Sequence, residues 1–263
     1  MSGGELICTC VLIEPSNFCF HKWNVDCCKL PPVQAEYTPK GSYSTINGLK
    51  TYVVGPEDAK VTVLSVYDIF GYSPQILQGA DLIASQGYRV LMPDFCDGKY
   101  ATADMFAPGG EEKRAQFFSG FPGAIASQLE PVSKYVQQLK SSSSSSKVAA
   151  IGYCWGYKVV VEAQSQAGVE AIIGPHPSFA AKEDGDKIDV PTLLLPSGGE
   201  DMEVMTQIQK IVESKLPGRI SLKHYPDMPH GWMAARGDLS GGKATEEFAD
   251  GYKLVVKFLK DTF

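Results

Sequence analysis

From Gly48 onward, two kinds of apolar spacing alternate along the chain. Short, nearly continuous runs rich in Val, Ile and Leu have the length and composition of strands buried on both faces. "KVTVLSVYD" (60–68), "YRVLMPD" (88–94), "KVAAIGY" (147–153), "VEAIIGP" (169–175), "VPTLLLPSG" (190–198) and "RISLKHYP" (219–226) are of this kind. "LKTYVVGP" (49–56) reads as an edge strand stopped by Gly55-Pro56. Between these runs the apolar residues recur at helical spacing. "SPQILQGADLIASQG" (73–87) offers Ser73 as cap, Pro74 in the first turn and Gly87 as stop. "AIASQLEPVSKYVQQLK" (124–140) predicts a helix that breaks or restarts at Pro131. "WGYKVVVEAQSQAG" (155–168), "MEVMTQIQKIVESKLPG" (202–218) and the amphipathic "ATEEFADGYKLVVKFLKDTF" (244–263) complete the set.

Strands alternating with helices at this spacing predict the α/β class: a mostly parallel central sheet flanked by helices on both faces. Residues 98–123 carry many Gly and Pro and read as a loop or lid over a site. Ser141 to Ser146 form a low-complexity surface loop. Residues 1–30 have no steady period and hold five of the seven cysteines. They read as a Cys-rich N-terminal extension, flexible or partly docked, ahead of a single domain over 31–263. Cys8, Cys10, Cys19, His21, Cys27 and Cys28 lack the C-x2-C spacing of the common zinc modules, so no metal site is expected.

Composition narrows the partners. The chain has 263 residues, 44% hydrophobic and 21% charged, the balance of an ordinary globular protein. A net charge of −6 disfavours a nucleic-acid or membrane-surface partner. No apolar run approaches the roughly 18 residues that would span a bilayer. The odd, clustered cysteines make a poor disulfide framework, and the expected compartment is the reducing cytoplasm.

In parallel sheets, functional residues lie on loops beyond the carboxyl ends of strands. "IGYCWGYK" (151–158) places Cys154 at such a point, in a Gly152-x-Cys154-x-Gly156 pattern. The pattern matches the nucleophile elbow of the α/β-hydrolase fold: the turn is sharp, so residues two positions either side must be small for strand and helix to pack. A thiol there also sits at a helix N-terminus, where the dipole favours a thiolate. The bland reading is a small buried thiol. Asp201 follows the strand at 190–198, and His230 follows the strand at 219–226, giving the order nucleophile, acid, histidine. Asp201 also suits a helix cap. His230 is favoured as base over His176, which follows another strand and can line the pocket; His224, inside a strand, reads as structural. Oxyanion donors are expected from the backbone N–H groups of Trp155, after the nucleophile, and Ile69, in the loop "DIFGY". Phe70, Tyr72, Trp155 and Trp232 are expected as aromatic lining, with core packing as the alternative.

"DIFGY", "GYCWG", "GGED" and "HGW", in this order, resemble the dienelactone hydrolase family over about residues 27–263. "CCKLPPVQAEYTPKG", "GLKTYVVGP" and "MPDFCDG" are similar to its fungal branch. The resemblance implies Cys154 as nucleophile, His230 as base and Asp201 as its orienting partner, acting through a thioester on a small ester or lactone without a cofactor. Bacterial members carry a Glu at the place of Asp68 that helps activate the thiol, and two arginines for a substrate carboxylate. This chain has the shorter Asp68, and Arg236 lies later than the bacterial spacing, with Arg114 the other available cation. Two rival functions use the same fold: a ligand-binding protein with little or no turnover, or a thiol redox sensor with Cys96 as the internal resolving candidate. A monomer or homodimer fits either.

Overall fold

The computed structural model describes residues 32–33, 35–142 and 147–263. The cysteines of 1–30, and with them the question of a metal or a docked extension, lie outside the described residues, as does most of the serine run. Among the described residues no group of His, Cys, Asp and Glu is arranged to hold a metal ion.

The apolar runs form one eight-stranded sheet: β1 (Ser42–Ile46), β2 (Leu49–Val54), β3 (Val61–Val66), β4 (Arg89–Pro93), β5 (Lys147–Gly152), β6 (Ala171–Pro175), β7 (Thr192–Leu195) and β8 (Ile220–Leu222). The order is β1-β2-β4-β3-β5-β6-β7-β8. β1 and β2 run antiparallel to their neighbours; the remaining pairs are parallel. The sequence pattern is silent on β1 because four of its five residues are exposed. It is carried by a hairpin turn in which Asn47 and Gly48 both have positive φ (53° and 81°), the backbone that matches strand twist. β8 is shorter than its apolar run suggests, and Tyr225 continues it only as an isolated bridge to Ser197.

β3 is buried at every position and β5 at all but its first residue, which requires cover on both faces. Each fully buried Val, Ile or Leu here contributes about 1.5–3 kcal/mol relative to exposure. The helices are α1 (Pro74–Ala84), α2 (Glu111–Ser119), α3 (Leu129–Ser142), α4 (Trp155–Ala167), α5 (Asp184–Lys187), α6 (Met202–Lys215) and α7 (Gly242–Thr262). α1 packs with α7, while α3 packs on α4, α4 on α5 and α5 on α6. Ser73 caps α1 by accepting from the Ile76 N–H, and Pro74 opens its first turn. Pro131 marks a restart: a 3-10 turn (Ile125–Gln128) leads into α3, whose first turn tolerates the missing N–H. α2 lies inside the segment expected to be loop. It buries only Phe117, so it has no apolar stripe to read.

The chain leaves β3 toward β4 on one side and leaves β5 toward β6 on the other. The crevice at the carboxyl ends of β3 and β5 is therefore the topological switch point, where ligands of open parallel sheets bind.

Candidate active site

Cys154 stands just beyond β5 and caps α4, with φ 54° and ψ −116°. This backbone is costly for a residue with a Cβ and persists only where its surroundings impose it. They do so here. The Cys154 N–H donates to the Pro175 carbonyl at 3.2 Å, and its carbonyl accepts from Tyr157 N at 3.2 Å and Ser178 N at 3.0 Å. A Cβ on Gly152 would lie 2.4 Å from the Gly156 carbonyl oxygen, and one on Gly156 would lie 2.4 Å from the Val66 oxygen. The two glycines thus let β5, α4 and β3 approach around a sharp turn. Cys154 is 3% exposed at the N-terminus of a thirteen-residue helix, where the helix dipole favours negative charge. The Trp155 N–H belongs to the first turn of that helix. In the Asp68 loop, Phe70 N donates to the Asp68 carboxylate and Gly71 N to its carbonyl, and neither turn bond uses the Ile69 N–H.

His230 is 1% exposed and its Nδ1 lies 2.6 Å from Glu200 Oε1. Glu200 is itself oriented: its carboxylate accepts from the Ser197 N–H and, at 3.0 Å, from the Ser197 hydroxyl. This corrects the expectation for Asp201. Asp201 is exposed, and its Oδ1 accepts from Glu203 N at 2.9 Å and Val204 N at 3.3 Å, capping α6. A capping side chain turns back onto its own helix, so the preceding residue faces the histidine instead.

Ser178 Oγ lies 3.3 Å from Cys154 Sγ and 3.3 Å from His230 Nε2. Sequence reasoning passed over it. The signal was present: Ser178 lies three residues beyond β6, the strand beside β5, in the same stretch as His176. His176 is fully buried, with its ring 5.1 Å from that of His230. Burial first, then the neighbouring His230 and Arg236 charges, push it well below the usual histidine range, so it is neutral.

Asp68 Oδ1 accepts from Phe70 N at 2.9 Å and Oδ2 from Ala235 N at 3.2 Å, tying the Ile69 loop to the turn after His230. Arg236 is buried over the Phe70 ring at 5.3 Å and donates to the His230 carbonyl at 3.4 Å. Arg114 instead donates to the Met105 carbonyl. Tyr72 and Trp232 each pack against other aromatic rings. The Tyr72 hydroxyl donates to the Met92 carbonyl while its ring packs on Tyr43, Tyr67 and Tyr100. Trp232 packs on Tyr225 at 4.4 Å.

The segment 98–123 packs against loops of the site. Phe106 packs on Phe70 at 5.5 Å, Phe118 on Phe179 at 5.6 Å, and the Gly123 carbonyl accepts from the Trp155 indole at 2.8 Å. A cavity of about 380 Å³ is lined by Phe70, Val33, Gln75, Tyr100, Thr102 and Ala235, among others; Cys154 and His230 are not in its wall. Cys96 is buried, and burial is the main force pushing its thiol up to about 12, which disfavours a resolving thiolate.

A sequence model of the dienelactone hydrolase family matches residues 49–263. An uncharacterized AIM2 family protein of Schizosaccharomyces pombe is 32% identical over 229 residues, 85% of this chain and 92% of that protein. A carboxymethylenebutenolidase homolog of Mus musculus is 26% identical over 210 residues, 75% of this chain and 81% of the other. The dienelactone hydrolase from Anabaena variabilis shares the fold, with a TM-score of 0.58 at 15% identity, covering 86% of this chain and 98% of that one. No helix among the described residues is long and apolar enough to cross a membrane.

Proposed function

The chain belongs to the dienelactone hydrolase family, and on that premise we propose that it hydrolyses a small ester or lactone with Cys154 as nucleophile, His230 as base and Glu200 as the orienting acid. The observation that carries this reading is the contact between His230 Nδ1 and the buried Glu200 carboxylate, with the other ring nitrogen turned toward the Cys154 side of the site. A carboxylate at Nδ1 fixes the proton there and leaves Nε2 as the basic atom.

The chemistry then runs in two halves. The Cys154 thiolate adds to the carbonyl carbon, and the resulting oxyanion is held by the Trp155 and Ile69 N–H groups. Collapse expels the alkoxide, which takes a proton from the imidazolium, leaving a thioester on Cys154. A water then gives its proton to His230 and attacks the thioester; collapse releases the acid and restores the thiolate. Phe70, Phe118 and Phe179 supply an apolar wall for the acyl group, and Arg236, behind Phe70, is the nearby cation for an acidic substrate. These steps balance without a metal or organic cofactor.

Turnover of 4-nitrophenyl acetate by wild type, Cys154→Ala and His230→Asn tests the reading. Both variants are expected to lose at least about a hundred-fold in kcat/KM. A Cys154→Ala protein with wild-type turnover overturns it.

A further inference from the structure

Resting on that reading of Cys154 and His230, we infer that the Ser178 hydroxyl is a proton relay between the Cys154 thiol and His230 Nε2. Its oxygen is 3.3 Å from both atoms. The hydroxyl is also fixed in place. The Ser178 N–H donates to the Cys154 carbonyl, and the Cys154 N–H donates to Pro175 three residues earlier, so the loop and the elbow are bonded in both directions. Two residues of the same loop, His176 (φ 37°), two positions before Ser178, and Phe179 (φ 56°), directly after it, hold left-handed backbone that non-glycine residues rarely adopt. Such strain persists where the surroundings over-determine the geometry, and it clusters at functional sites.

The direction of the relay follows from the acid. With Nδ1–H donating to Glu200, Nε2 carries a lone pair and accepts from the Ser178 O–H. The serine oxygen keeps lone pairs for the Cys154 S–H. As the thiol proton passes to Ser178 Oγ, the serine proton passes to Nε2. The products are a thiolate, an unchanged neutral hydroxyl and an imidazolium, so charge and protons balance with no further reactant. The relay runs backward when the imidazolium returns a proton. A serine in this position also donates to the thiolate it has created, which a methyl group cannot do.

The test uses wild type, Ser178→Ala and Ser178→Thr. The rate of Cys154 alkylation by iodoacetamide is followed from pH 5 to 9 by peptide mass spectrometry, beside 4-nitrophenyl acetate turnover. The Ala variant is expected to alkylate at least about ten-fold more slowly at neutral pH, with its pH profile moved toward that of a free thiol and kcat lowered more than KM is raised. Thr, which keeps the hydroxyl, restores part of each. An Ala variant with the wild-type profile and turnover, or a Thr variant no better than Ala, overturns the relay. Should the Ala variant not fold, a proton inventory of wild-type alkylation in H2O–D2O mixtures decides: a curved plot reports two protons in motion, and a straight one overturns the relay. If wild type turns over no ester while the alkylation profile still depends on Ser178, the hydrolase reading fails and the relay stands.

Discussion

Glu200 and Asp201 are adjacent in sequence and serve different structures: Glu200 Oε1 lies 2.6 Å from His230 Nδ1, while Asp201 Oδ1 accepts from the first-turn N–H groups of α6. The two carboxylates are therefore separable by mutation. Glu200→Gln is expected to lower ester turnover by about 10²–10⁴-fold, because an amide no longer fixes the histidine tautomer or stabilises the imidazolium. Asp201→Ala is expected to leave turnover within about two-fold and to cost about 1 kcal/mol of stability, as the loss of a helix cap does. Steady-state kinetics and urea titrations of the two variants check both halves.

The same pair shows what the sequence carries and what it hides. The elbow was legible because its chemistry demands glycines at fixed spacing, and Gly152 and Gly156 meet backbone oxygens that leave no room for a Cβ. The strands were legible because burial on both faces leaves nearly continuous apolar runs. "GGED" holds two adjacent carboxylates, and which of them meets His230 depends on which caps the following helix, something strand order alone does not reveal. β1 and α2 are exposed on most of their surface, so nothing in the apolar pattern marks them. Ser178 lies in a loop whose partner, Cys154, is 24 residues away; only the pairing of β5 with β6 makes them neighbours.

Gly156→Ala places a methyl group 2.4 Å from the Val66 carbonyl oxygen, a backbone atom that cannot swing aside. Either α4 or β3 must shift. A stability loss of about 1–3 kcal/mol is expected, together with slower alkylation of Cys154 as the elbow opens. Unfolding by urea and iodoacetamide labelling measure the two effects. Unchanged labelling with unchanged stability contradicts the close approach.

Lys158, one turn beyond Cys154, donates to Asp184, whose side chain is fully buried. The pair joins α4 to α5. Burial raises the Asp184 pKa above the usual carboxylate value, against the pull of Lys158. Asp184→Ala leaves a mostly buried ammonium with its chief partner gone. A loss of about 3–5 kcal/mol is expected, while Lys158→Met with Asp184→Leu together should recover most of it. A double-mutant cycle in urea reads the coupling directly. Additive losses for the two positions contradict a coupled pair.

His176 gives the fold a pH dependence that can be isolated. Its ring is enclosed by Tyr153, 6.0 Å away, and His230, 5.1 Å away, with the Arg236 charge also acting on it. In the folded protein it stays neutral well below the ordinary histidine value, whereas in the unfolded chain it takes up a proton near pH 6.5. Below that pH the unfolded state binds more protons, so stability falls as the solution becomes more acidic. The slope from this one group approaches about 1.4 kcal/mol per pH unit until the folded-state value is reached. His176→Phe keeps a ring of similar shape and removes the titration. The stability difference between wild type and the variant should be flat above pH 7 and should grow in the variant's favour from pH 6.5 to 5. Urea unfolding across that range measures it, and a pH-independent difference would show that His176 protonates as readily inside the protein as outside.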